Sequence, residues 1–179
     1  DLTKMDAAQL GYEAVSAMDP VVTQMENLAG ARSKVGEEIA GLEGKKPRTE
    51  GEEMLLQAKR HQGEALDATS GVLRDRVDIL KATKDAALNE EAGGGLAINE
   101  DEASSLAAAT RATDVGMLAA SNKGRGADAE VAMALEAVRL ESANGAKTVE
   151  APKTNAELTA NATGVEAPAG GKTLPAGES

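Results

Sequence analysis

The single histidine, His61, lies among Lys59, Arg60 and Gln62. Imidazole is the side chain whose ordinary titration falls nearest neutrality, so it is the first candidate for proton transfer or metal ligation. No carboxylate–nucleophile pair flanks it, and an exposed or interfacial histidine is the expectation. Acidic pairs occur at Glu37-Glu38, Glu52-Glu53 and Glu90-Glu91, with a triplet at Glu100-Asp101-Glu102. Di-metal bundles combine Glu with Glu-x-x-His on facing helices. That motif is missing, so these carboxylates read as solvated faces and helix N-termini.

Two glycine-containing segments resemble phosphate-binding loops and fail on context. Gly171-Lys172-Thr173 would need a Gly where Glu166 stands, and no strand precedes it. Gly124-Arg125-Gly126 also lacks a preceding strand. Asn161-Ala162-Thr163 is an N-glycosylation sequon, which makes Asn161 the one candidate modification site. Tyr12, the only aromatic residue, is expected to pack near Gln9 or Val15. Met5, Met18, Met25, Met54, Met117 and Met133 are expected to fill gaps in a core. No catalytic residue, metal site or cofactor is expected, and the chain does not read as an enzyme.

The elements that position these residues are helices. From Ala14 the residues Met18, Val21, Met25, Leu28, Arg32, Val35, Ile39 and Leu42 alternate in steps of four and three. Only Arg32 is not apolar. That spacing puts one narrow stripe on a long helix, the pattern that packs on other helices. The helix is predicted from about Thr3 to about Gly41. Asp19-Pro20 interrupts its hydrogen bonding, but the repeat keeps phase, so a kink is expected rather than a break.

A loop follows, with Gly41, Gly44, Pro47 and Gly51 and the basic residues Lys45, Lys46 and Arg48. Thr49 and Glu52 have capping-box spacing, and a second helix is predicted from about Glu50 to Ala92. Its stripe is read as Leu55, Leu66, Leu73, Val77, Leu80 and Ala87, widened by Val72, Ile79 and Leu88. Gly93-Gly94-Gly95 ends it. Asn99, with Glu102 three residues on, caps a third helix predicted to reach about Ser121 through Ala103, Leu106, Thr110, Thr113, Met117 and Ala120. Asn122, Gly124 and Gly126 interrupt. A fourth helix, about Ala127 to Ser142, carries Val131, Ala134, Leu135 and Val138. Asn144-Gly145 stops it. The third and fourth together nearly match one long helix and could run end to end.

From Lys147 the composition shifts to Pro, Gly, Thr and Ala, the signature of a linker or stalk. Residues 1–146 are therefore expected to form a bundle and 147–179 a tail. The fold class is all-α: an elongated antiparallel bundle built on a long helical hairpin plus shorter helices, with an irregular C-terminal tail.

Composition narrows the function. Ala and Glu make 56 of the 179 residues, and both favour helix. There is no Cys, Phe or Trp, which excludes disulfides, thiol chemistry and zinc–thiolate sites. The net charge of −11 disfavours nucleic acid and anionic lipid surfaces. There is no transmembrane run. The chain starts at Asp1 with no signal-like apolar stretch, and a mature product or an expressed fragment is expected.

Taken together, the Ala/Glu richness, the missing Cys, Phe and Trp, the two long helices and the segment Glu166-Ala167-Pro168-Ala169-Gly170 resemble a known family. It is the glutamic acid/alanine-rich surface protein of African trypanosomes, similar in architecture to the helical variant surface glycoproteins. The resemblance implies a non-enzymatic coat protein on the extracellular face of the plasma membrane, held by a C-terminal GPI anchor beside neighbouring coat molecules. No catalytic or binding residue carries over with it. The alternative is a binding or scaffold module for a macromolecular partner such as a host macromolecule; the heptad seam also leaves a homodimer open. A lipid-carrying amphipathic helix protein is disfavoured by the narrow stripe and the lack of Lys-rich borders.

Overall fold

A computed structural model describes residue 2, residues 5–145 and the backbone of Thr148 and Val149. The fold is all-α, with three helices packed α1 on α2 and α2 on α3. They are α1 (Ala7–Glu43), α2 (Glu50–Ala92) and α3 (Glu100–Asn144). The described backbone adds one two-residue antiparallel bridge, β1 (Arg48–Thr49) against β2 (Thr148–Val149).

The chain divides into two compact units. One comprises Asp1–Lys34 with Gly63–Arg125, the other Val35–Gln62 with the chain from Gly126 onward. In the first, Leu10, Ala86, Ala87, Ile98 and Ala103 form the core, with Leu2, Met5 and Leu106 against it. Small residues let the helices approach closely: a Cβ on Gly11 would meet that of Ala87 at 3.5 Å. In the second unit Ala58, Val131 and Ala134 are buried, with Met54 and Leu55 packed on them. In both units the contacts of α1 with α2, and of α2 with α3, run antiparallel. Arg32 reaches Asp67 in the first unit and Glu38 meets Lys59 in the second. Arg76 meets Asp114 in the first and His61 meets Glu130 in the second.

The heptad of α1 is its buried stripe. Ala14 and Val35 are buried, and Met18, Val21, Met25, Leu28, Arg32, Ile39 and Leu42 are half-buried. Between Ala14 and Leu42 nearly every other position faces solvent. Asp6 caps α1, its Oδ1 accepting from the Ala8 N–H at 3.0 Å and the Gln9 N–H at 3.4 Å. Pro20 lies inside the helix without ending it. Pro20 and Ser16, whose carbonyl loses its donor, are both exposed, so water can serve that carbonyl.

The two shorter helices expected after Asn99 are one helix, α3, of 45 residues. Its buried and half-buried positions Ala120, Gly124, Ala127, Val131 and Ala134 keep the same four–three steps across Asn122-Gly124-Gly126. Packing on α2 carries the helix through two glycines whose propensity alone would interrupt it.

The caps match the sequence signals. Thr49 Oγ1 accepts from the Glu52 N–H at 3.1 Å, and Glu52 Oε1 accepts from the Thr49 N–H at 3.0 Å. Asn99 Oδ1 accepts from the Glu102 N–H at 2.9 Å. After α2 the Gly95 N–H bonds the Glu90 carbonyl and the Gly94 N–H that of Glu91, with Gly94 at φ +85°. This is a Schellman termination, and its left-handed residue suits glycine. Gly145, at φ +74°, follows the end of α3.

Four expectations are corrected. Tyr12 is 74 % exposed; it stands one residue beyond Gly11, the position that faces Ala87. Met133 and Leu135 are exposed because they flank Ala134, the residue that faces α2. Leu88 is exposed for the same reason beside Ala87, while Leu56, absent from the expected stripe, is fully buried. The helix α2 packs on both α1 and α3, so its buried face is wider than one heptad seam. The expected tail, 147–179, lies outside the described residues apart from the backbone of Thr148 and Val149.

Candidate functional site

Many of the polar contacts join one helix to the next. The densest group surrounds the α1–α2 loop in the second unit. The Arg48 guanidinium donates through its Nη1 to the carbonyls of Leu42, Glu43 and Lys45 at 3.2, 3.3 and 3.1 Å. It thereby closes the end of α1, where carbonyls lack helical partners. Its Nε donates to Glu53 Oε2 at 2.7 Å. Glu53 is 4 % exposed. Glu52 and Glu53 stand in the first turn of α2, as expected of acids at a helix N-terminus, but Glu53 is not solvated: a buried carboxylate needs a charged partner, and Arg48 supplies it.

Beside it, Lys45 donates to Glu52. That bond, then the Thr49 N–H, holds the Glu52 carboxyl below its ordinary value of 4.5, against the opposing effect of burial. From α3, Glu141 completes the cluster. Its Oε1 accepts from Thr49 Oγ1 at 2.5 Å, and its Oε2 accepts from the Gly51 N–H. Thr49 and Glu52 were legible as a capping box. Glu141 is 90 positions from Gly51 and carries no local signal.

His61 is half exposed and its Nδ1 lies 2.8 Å from Glu130 Oε1, a link from α2 to α3. The neighbouring Gln62 donates to Asp128 at 3.0 Å. A His–carboxylate pair can move a proton, but covalent catalysis needs a nucleophile on the ring, and Glu130 is the ring's hydrogen-bond partner among the described residues. Of the other acidic residues, Glu38 pairs with Lys59 and Glu43 with Arg60. Among the described residues no group of three or more His, Asp or Glu is arranged to hold a metal ion. The sequon at Asn161 and the segment Gly171-Lys172-Thr173 lie outside the described residues.

In the first unit, Arg32, the one polar residue in the α1 seam, lies over Gly63. A Cβ there would sit 3.1 Å from the Arg32 Cζ. The guanidinium crosses α2 at that bare position, and its Nε donates to Asp67 at 3.0 Å.

Comparisons with protein-family models, with curated proteins and with solved structures give no match for this chain. The resemblance to the trypanosome coat family therefore rests on composition and helix pattern.

Proposed function

We propose that this chain is a non-enzymatic coat protein of a cell surface, forming a protective layer of helical bundles tethered at the C-terminus. The observation that carries the reading is the use made of its polar clusters. Arg48–Glu53, Arg32–Asp67, His61–Glu130 and Glu141 at the start of α2 each tie one helical segment to another. Within each unit these groups fasten helix to helix beside an aliphatic seam. The net charge of −11 suits dense packing, since it limits unspecific adhesion between crowded neighbours. No described helix is long and apolar enough to cross a membrane. Attachment in this reading is through a lipid anchor beyond the bundle. Treating intact cells with a phospholipase specific for GPI anchors should release the protein, its C-terminal residue keeping the anchor glycan while the lipid stays in the membrane, and untreated protein should yield a lipid-linked C-terminal peptide. Failure of both would remove the proposal.

A second reading, a binding or scaffold module, is favoured by one observation. The exposed apolar residues include Tyr12 and Leu96 in the first unit, more open to solvent than the heptad residues beside them. A saturable complex with one macromolecular partner, lost on Tyr12→Ser, would support it over a coat.

A further inference from the structure

Two exposed stripes in the first unit share the heptad pattern without being part of its core. On α1 the residues Tyr12, Val15, Asp19, Val22 and Glu26 recur in steps of three, four, three and four, and all are exposed. On α3 the residues Arg111, Val115, Leu118, Asn122 and Arg125 recur in steps of four, three, four and three, again all exposed. Each stripe carries exposed apolar side chains, Tyr12, Val15 and Val22 on α1 and Val115 and Leu118 on α3, among charged and amide ones, and so offers a mixed face to another helix.

The two stripes differ in charge. Between Tyr12 and Glu26, α1 carries Glu13, Asp19 and Glu26 and no cation. Between Arg111 and Arg125, α3 carries Arg111, Lys123 and Arg125, and its one acid there, Asp114, is bound to Arg76 of α2. Arg125 donates to Ser121 and Asn122 of its own helix. Among the described residues, Arg111, Asp19 and Glu26 make no ion pair.

We infer that the α1 stripe of one molecule docks antiparallel on the α3 stripe of a second copy. Read backwards, the α3 steps become three, four, three and four, in register with α1. That register sets Glu26 on Arg111, Val22 on Val115, Asp19 beside Leu118, Val15 on Asn122 and Tyr12 on Arg125. It gives one ion pair, one apolar contact and one stacking of a guanidinium on a phenol ring. Self-pairing of either stripe is disfavoured, because α1 on α1 would crowd carboxylates and α3 on α3 guanidinium groups. The contact is heterologous, so each molecule keeps one free stripe of each kind and the assembly grows into a ring or an open row. It stands on these two faces alone and is independent of any surface attachment.

The test is the mass of the full chain by sedimentation against concentration. The expected result is association that strengthens with concentration. Glu26→Arg alone and Arg111→Glu alone should each abolish it. Both positions are solvent-facing, so helix content by circular dichroism should stay unchanged. Mixing the two variants, or combining both substitutions in one chain, should restore association. A wild-type chain that stays monomeric up to ~1 mM, the weak end of specific affinity, overturns the inference. So does association that persists in either single variant, or a double variant that stays monomeric.

Discussion

The carboxylate of Glu141 occupies the space where Gly51 would carry a side chain. A Cβ on Gly51 would sit 2.6 Å from Glu141 Oε1 and 2.8 Å from its Cδ. The absent methyl lets an acid from the last turn of α3 reach the first turn of α2. An anion is unfavourable at the end of its own helix and favourable at the start of another, and here the second effect is joined by two hydrogen bonds.

Gly51→Ala should therefore destabilise the protein, by roughly 1–3 kcal/mol, since the carboxylate must leave donors bonded to a charged group. The control is Gly71→Ala, where nothing lies within 4 Å of the added carbon. That substitution should stabilise α2 by about 0.5–1 kcal/mol through helix propensity. Urea denaturation of both variants checks the opposite signs.

Removing Glu53 should be among the more damaging single changes in the loop. Glu53→Ala leaves the Arg48 guanidinium covered and short of its anion, a loss of roughly 3–5 kcal/mol. Replacing both Arg48 and Glu53 with apolar residues should cost less than the sum of the single changes, and a double-mutant cycle measures the difference.

Glu52 sets a dependence on acid. Its folded carboxyl is held below the ordinary value of 4.5, first by Lys45 and then by the Thr49 N–H. The stabilisation it brings is present above 4.5 and is lost as the pH falls below that value through the folded one. The Glu52→Gln variant should lose less stability than wild type over the same acid range. Denaturation midpoints measured from neutral pH downward compare the two slopes.

Arg32 interrupts an otherwise apolar seam. The pair it forms with Asp67 is largely open to water, where such pairs contribute about 0–1 kcal/mol. Arg32→Leu restores the seam and should raise stability by about 1 kcal/mol, with a thermal midpoint higher by a few degrees. The same variant should show less salt sensitivity than wild type.

How much the sequence revealed depended on how many neighbours each helix has. The α1 helix packs one face inward, so one heptad named its seam from Ala14 to Leu42, Arg32 included. The α2 helix packs two faces, so a single stripe missed Leu56 and wrongly included Leu88. In α3 the glycines at 124 and 126 read as an interruption, although the seam keeps phase across them. Tyr12 was misplaced because its size suggested burial, whereas the tight approach of Gly11 to Ala87 turns the next residue outward. Local signals found the caps at Thr49 and Asn99. A partner such as Glu141 for Gly51, 90 positions away, depends on how the chain folds back, which no neighbouring residue encodes.

The N–H of Ala7 donates to the carbonyl of Leu96 at 2.7 Å, in the turn beyond Gly95. The first residue of the first helix is thus fastened to the connection between the other two. As the chain emerges in synthesis, α1 and α2 can pair while Leu10 still lacks the cover of Ile98 and Ala103. The first turn of α1 is therefore closed only once α3 has begun, and a chain released after Gly93 would hold a hairpin with Leu10 uncovered at one end.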